Sequence, residues 1–72
     1  MDVSGIRARH ERLDQLSRGL AREVVVIKDG EDPLLYLERK AYLNALQDAL
    51  AGVESARVVV AKALHRLERE AA

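Results

Sequence analysis

The chain has no cysteine, tryptophan or phenylalanine, and its only aromatic side chains are Tyr36 and Tyr42. Without cysteine, disulfides and thiolate metal sites are excluded, which fits a reducing compartment. With two tyrosines and nothing interleaved between basic residues, there is no platform on which nucleic-acid bases could stack. Proline occurs once, at Pro33, so long helices can run uninterrupted on either side of it. The longest purely aliphatic run is Val24 to Ile27, far short of the roughly 20 residues that span a bilayer. The opening "DVSGIRARHERLDQL" has no apolar core of the kind a secretory signal needs. These readings predict a soluble, cytoplasmic protein with no membrane partner.

Net charge is also missing, since 12 basic residues balance 12 acidic ones. Residues 1–28 carry six basic and four acidic groups, and residues 29–72 carry six and eight. That split gives little field for capturing nucleic acid. Arg7, Arg9, Arg12, Arg18 and Arg22 lend the first third a basic flavour, but Glu11, Asp14 and Glu23 interrupt it. A solvated face is the reading, with a weak nucleic-acid-binding accessory role as the alternative.

What the chain does have is 49% apolar and 33% charged residues over 72 positions. This composition belongs to amphipathic helices rather than to a disordered tail. The length allows one domain, over 1–72, and so short a chain buries only about 60% of its unfolded surface. A small fold without disulfides or a metal usually recruits a partner chain.

Two helical patterns appear. Ile6, Leu13, Leu16, Leu20, Val24 and Ile27 are spaced three, four or seven apart and predict a helix over about 3–28. Leu35, Tyr42, Leu46, Ala49, Val53, Ala56, Val60, Ala63 and Leu67 keep a seven-residue rhythm that only Arg39 interrupts. They predict a long helix over about 33–70 with a coiled-coil seam. Between them "VVVIKDGEDPLLYLER" admits two readings. Its β-branched run and Asp-Gly pair favour a β-hairpin over 24–37. The elbow reading uses more residues, with Gly30 ending one helix, Asp32 as N-cap and Pro33 in the first helical position. The expectation is an all-α antiparallel hairpin with its elbow at 29–32.

A short elbow pairs positions whose numbers sum to about 61, so Leu20 faces Tyr42, Leu16 faces Leu46, Leu13 faces Ala49 and Ile6 faces Ala56. The helices are then roughly 39 and 57 Å long, and the last turns of the second are left uncovered. The second helix also carries two adjacent apolar stripes. Leu35, Tyr42, Leu46, Leu50, Val53, Val60, Leu64 and Leu67 form the large one, and Ala45, Ala49, Gly52, Ala56 and Ala63 form the small one. One neighbouring helix cannot bury both. The expectation is a homodimer, or another homo-oligomer, built as a four-helix bundle. Its interface would comprise Tyr42, Leu46, Ala49, Leu50, Val53, Ala56, Val60, Ala63, Leu64 and Leu67. A heterologous protein partner, or a monomer with frayed C-terminal turns, remains open.

Candidate chemistry is sparse. His10 with Asp14, and His65 with Glu68, each stand one turn apart, but both histidines read as solvated surface residues and no metal or cofactor is expected. Arg39 and Arg57 fall at the edge of the large stripe. Each either lays its stem on the core and pairs with an acid, or binds an anion; Glu38 could pair with Arg22 or Arg39. No Gly-rich phosphate loop, Ser/His/Asp set or zinc-ligand spacing occurs.

"IRARHERLDQL" followed by "REVVVIK" resembles the first helix of the all-helical chorismate mutases, over about the first 28 residues. Arg7, Asp14 and Lys28 match that family's Arg, Asp and Lys. The interval from Asp14 to Lys28 is shorter than the family's, its Arg-Glu pair stands reversed as Glu38-Arg39, and no glutamine occurs late in the chain. The resemblance implies a small enzyme with an anion pocket lined by Arg7, Lys28 and Arg39. The residues themselves imply a self-associating interaction or structural module with no catalytic site, using the second helix as its partner surface.

Overall fold

The computed structural model describes residues 3–71. Two helices pack antiparallel, α1 over Val3–Asp29 and α2 over Tyr36–Ala71. The helical elbow replaces any β-hairpin, because α1 runs on through the β-branched stretch from Val24 to Ile27. Gly30 ends it with a backbone φ of 73°, where glycine alone carries no Cβ penalty. Its amide donates to the Ile27 carbonyl at 3.2 Å. The molecule measures 54 × 15 × 15 Å. At 1.5 Å per residue, α2 alone accounts for that length.

The start of α2 corrects the sequence expectation. The helix begins at Tyr36, not Pro33, and Asp32 is not its N-cap. The Asp32 carboxylate instead accepts the Leu34 amide at 2.9 Å and the Arg39 guanidinium at 3.3 Å. Arg39 also donates to the backbone carbonyls of Asp32 and Leu34, at 3.4 and 3.1 Å. Glu38 reaches back to the Leu35 amide at 3.0 Å, and the Leu35 carbonyl accepts the first helical bond, from Arg39, at 2.8 Å. Leu35 is therefore the N-cap, with Glu38 supplying half of a capping box. Glu38 pairs with neither Arg22 nor Arg39.

A longer elbow moves the register. The observed partners are Glu23 with Tyr42, Ser17 with Glu54, Asp14 with Arg57 and Arg7 with Glu68. The expected pairings of Leu20 with Tyr42, Leu16 with Leu46, Leu13 with Ala49 and Ile6 with Ala56 do not hold: residues 30–35 all lie between the helices, and the mid-helix partners Asp14 with Arg57 and Ser17 with Glu54 sum to 71 rather than 61. The start of α1 consequently reaches the last turn of α2. Arg7 approaches Glu68 at 3.9 Å, and Val3, Arg7, Glu68 and Ala71 line a shallow cavity of about 380 Å³. Val60, Ala63, Leu64 and Leu67, expected to be uncovered, are half-buried.

Alternating steps of three and four mark the seam on both helices. On α1 it runs Val3, Ile6, His10, Leu13, Ser17, Leu20, Val24, Ile27, all buried or half-buried. On α2 it runs Arg39, Leu43, Leu46, Leu50, Val53, Arg57, Val60, Leu64, Leu67. Leu16 is not in it and stands 50% exposed, whereas Ser17 is buried. His10 is half-buried in the seam rather than on the polar side. Among the described residues only Ile27 and Leu46 are buried apolar side chains, at 3% and 7% exposure.

Candidate functional site

One flank of the seam is polar. Arg57 donates to Asp14 at 2.6 Å and pairs with Glu54 at 3.1 Å, and Ser17 donates to Glu54. Arg18 closes on the second oxygen of Asp14 at 3.1 Å. Each buried polar group thus finds a partner, as a low-dielectric seam requires. Asp14 and Glu54 both hold Arg57, so its guanidinium is engaged in ion pairs within the hairpin. Ser17 and Glu54 had escaped the sequence reading. The signal was present, because Ser17 occupies a seam position between Leu13 and Leu20, but the neighbouring Leu16 is larger and drew the assignment.

At the elbow, Ile27, Lys28, Tyr36, Arg39, Lys40 and Leu43 line an open groove of about 330 Å³. It brings together Lys28 and Arg39, two of the three residues expected in an anion pocket, and adds Lys40. Arg7 is not with them: it lies 21 positions before Lys28 on one continuous helix, about 32 Å away. Arg39 is already committed to Asp32, and the Leu34 amide together with that guanidinium holds the Asp32 carboxyl below its ordinary value. His65 is exposed, and among the described residues no three His, Asp or Glu come together as a metal site would need.

The other flank, apolar on α2 and mixed on α1, faces outward. On α2, Tyr42, Ala45, Ala49, Gly52, Ala56, Val59 and Ala63 continue in steps of three and four beside the seam. On α1 the matching row holds Arg9, Arg12, Leu16, Gly19, Glu23 and Val26. The Tyr42 hydroxyl donates to Glu23 at 3.4 Å, tying the two rows into one face. Leu16, Val26, Tyr42 and Val59 are 50, 51, 41 and 66% exposed. Of the ten residues expected at an interface, Tyr42 and Ala49 lie on this face exposed, and Ala56 and Ala63 half-buried at its inner edge. Leu46, Leu50, Val53, Val60, Leu64 and Leu67 belong to the seam against α1. Among the described residues no helix is long and apolar enough to cross a membrane.

No family model, curated protein or solved structure matches this chain.

Proposed function

We propose that this protein is a small self-associating helical module, with no catalytic site, whose partner surface is built largely on α2. The observation that carries this is exposed area. A compact monomer of 8.0 kDa exposes about 4,450 Å². This hairpin exposes 5459 Å². The surplus of about 1,000 Å² is close to the roughly 800 Å² that each partner buries in a standard interface. A core of two buried apolar side chains among the described residues is too thin for the chain to stand alone. A dimer of hairpins in a four-helix bundle is the simplest assembly that covers the surplus. Light scattering tests it: the expected mass is twice that of the 8.0 kDa chain. A monomer with a sharp melting transition would overturn it.

A second reading rests on the elbow groove. Lys28 and Lys40 flank an apolar floor made by Ile27, Tyr36 and Leu43, which suits a small organic anion with an apolar body. Thermal melting with a millimolar dicarboxylate discriminates it, since an unshifted transition removes this reading.

A further inference from the structure

We infer that the outward apolar flank, centred on Leu16 of α1 and Gly52 of α2, docks a second copy of this chain running antiparallel to the first. The inference rests on the self-association reading and adds the face and the direction.

The face has a centre. Ser17 and Glu54, bonded to each other, place Leu16 and Gly52 within about one helical turn of the same level near the middle of the molecule. A two-fold interface is isologous, so whatever lies on one side of its centre must complement what lies on the other. On α1, Arg9 lies one heptad before Leu16 and Glu23 one heptad after it. On α2, Glu38 lies two heptads before Gly52 and Arg66 two heptads after it. Laying a second hairpin antiparallel across the face stacks α1 on α1 and α2 on α2. Arg9 then stands over Glu23 of the second copy, and Glu38 over Arg66, at both ends of the interface. A parallel arrangement lays α1 over α2 and puts Arg9 over Val59, and Glu23 over Ala45, so neither charge meets a partner. Charges left unpaired over apolar side chains disfavour it. Arg66 also holds Glu70 at 3.1 Å within its own chain, so the α1 charges carry most of the orientation.

Around Gly52 the face is apolar and low, with Arg12 the charge nearest its centre. Leu16, Val26, Tyr42 and Val59 stand exposed around Ala49 and Gly52. A Cβ at Gly19 or Gly52 would meet nothing within 4 Å, so packing inside the hairpin gives neither glycine a reason to be there. Each nonetheless weakens its helix relative to alanine. Close approach of a second backbone supplies the reason. The surplus area per chain matches one side of such a contact.

Val58 and Val59 make the test. They are neighbours on α2, 51 and 66% exposed, but Val59 lies on this face and Val58 points away from it. Sedimentation equilibrium of Val59→Asp should show dimerisation weakened at least tenfold, with Val58→Asp unchanged. If the two variants behave alike while the parent chain dimerises, the face is wrong and self-association stands. If the parent chain is monomeric, both fall. Direction is read separately, in chains that fold as the parent does. The chain has no cysteine, so introduced thiols report alone. Arg9→Cys mixed with Glu23→Cys should give the mixed disulfide, with little of either symmetric one. A dominant Arg9→Cys homodisulfide would overturn the antiparallel arrangement.

Discussion

Arg57 reaches across the helix seam to Asp14 at 2.6 Å, joining positions 43 residues apart in the chain. Its side chain is 35% exposed and that of Asp14 28%, so the pair is screened only in part. Together with Ser17 and Glu54 it sets a polar layer in the middle of a seam whose other polar members are His10 and Arg39. Such a layer contributes less to stability than to register, because slipping the helices by one turn would strand its charges.

Arg57→Ala leaves Asp14 and Glu54 without their shared cation. The expected loss is about 1–2 kcal/mol, the scale of a charge-assisted hydrogen bond with some solvent screening. Urea denaturation measures it. Arg66→Ala, which removes an exposed pair with Glu70 one turn away, should cost under about 0.5 kcal/mol. Equal losses would show that the seam position of Arg57 is immaterial.

Gly30 and Gly5 should respond in opposite directions to alanine. Gly30 sits at a φ of 73°, which costs an L side chain about 1–2 kcal/mol. Gly5 lies inside α1 with open space where a Cβ would go, so alanine there should stabilise by about 0.5–1 kcal/mol. Thermal melts of the two variants, compared with the parent, check both signs.

The elbow should loosen in acid. The Leu34 amide, and then Arg39, hold the Asp32 carboxyl below its ordinary value of 3.8. A depressed carboxyl stabilises the fold above its unfolded value near 3.9. The contribution is lost as the pH falls through the lower folded value. Asp32→Asn should flatten the melting temperature in that window, while leaving its pH dependence above about pH 5 unchanged. Identical acid profiles for the two chains would count against the Asp32–Arg39 clamp.

Tyr42 should titrate late. Desolvation first, and then the nearby Glu23 carboxylate, push its phenol above the ordinary 10.0. The associated stability is complete below about pH 10 and is lost as the pH rises through the folded value. Ultraviolet titration in a Tyr36→Phe background isolates the phenol. Adding Glu23→Gln should bring its titration down, and an unmoved curve would separate the two side chains.

The sequence by itself determined that there are two helices and where the first one stops. Helical periodicity is local, so the apolar spacing on each side of Pro33 is readable without any contact being known. Gly30 is equally local, because the left-handed turn it makes depends only on its missing Cβ. The family likeness of residues 1–28 was of the same kind, a pattern of Arg, Asp and Leu that many amphipathic helices share. Tertiary structure decided the rest. Arg39 looked like a break in a heptad rhythm until its guanidinium was seen to hold Asp32 and Leu34, lengthening the elbow to residues 30–35. That length set the register, and the register brought Arg7 to Glu68 and Asp14 to Arg57. It also chose Ser17 over Leu16 for the seam, leaving Leu16 outside. A residue's side of a helix is written in its spacing, but which side is covered depends on where the second helix lies. That was settled by a few hydrogen bonds between residues whose partners no periodicity reveals.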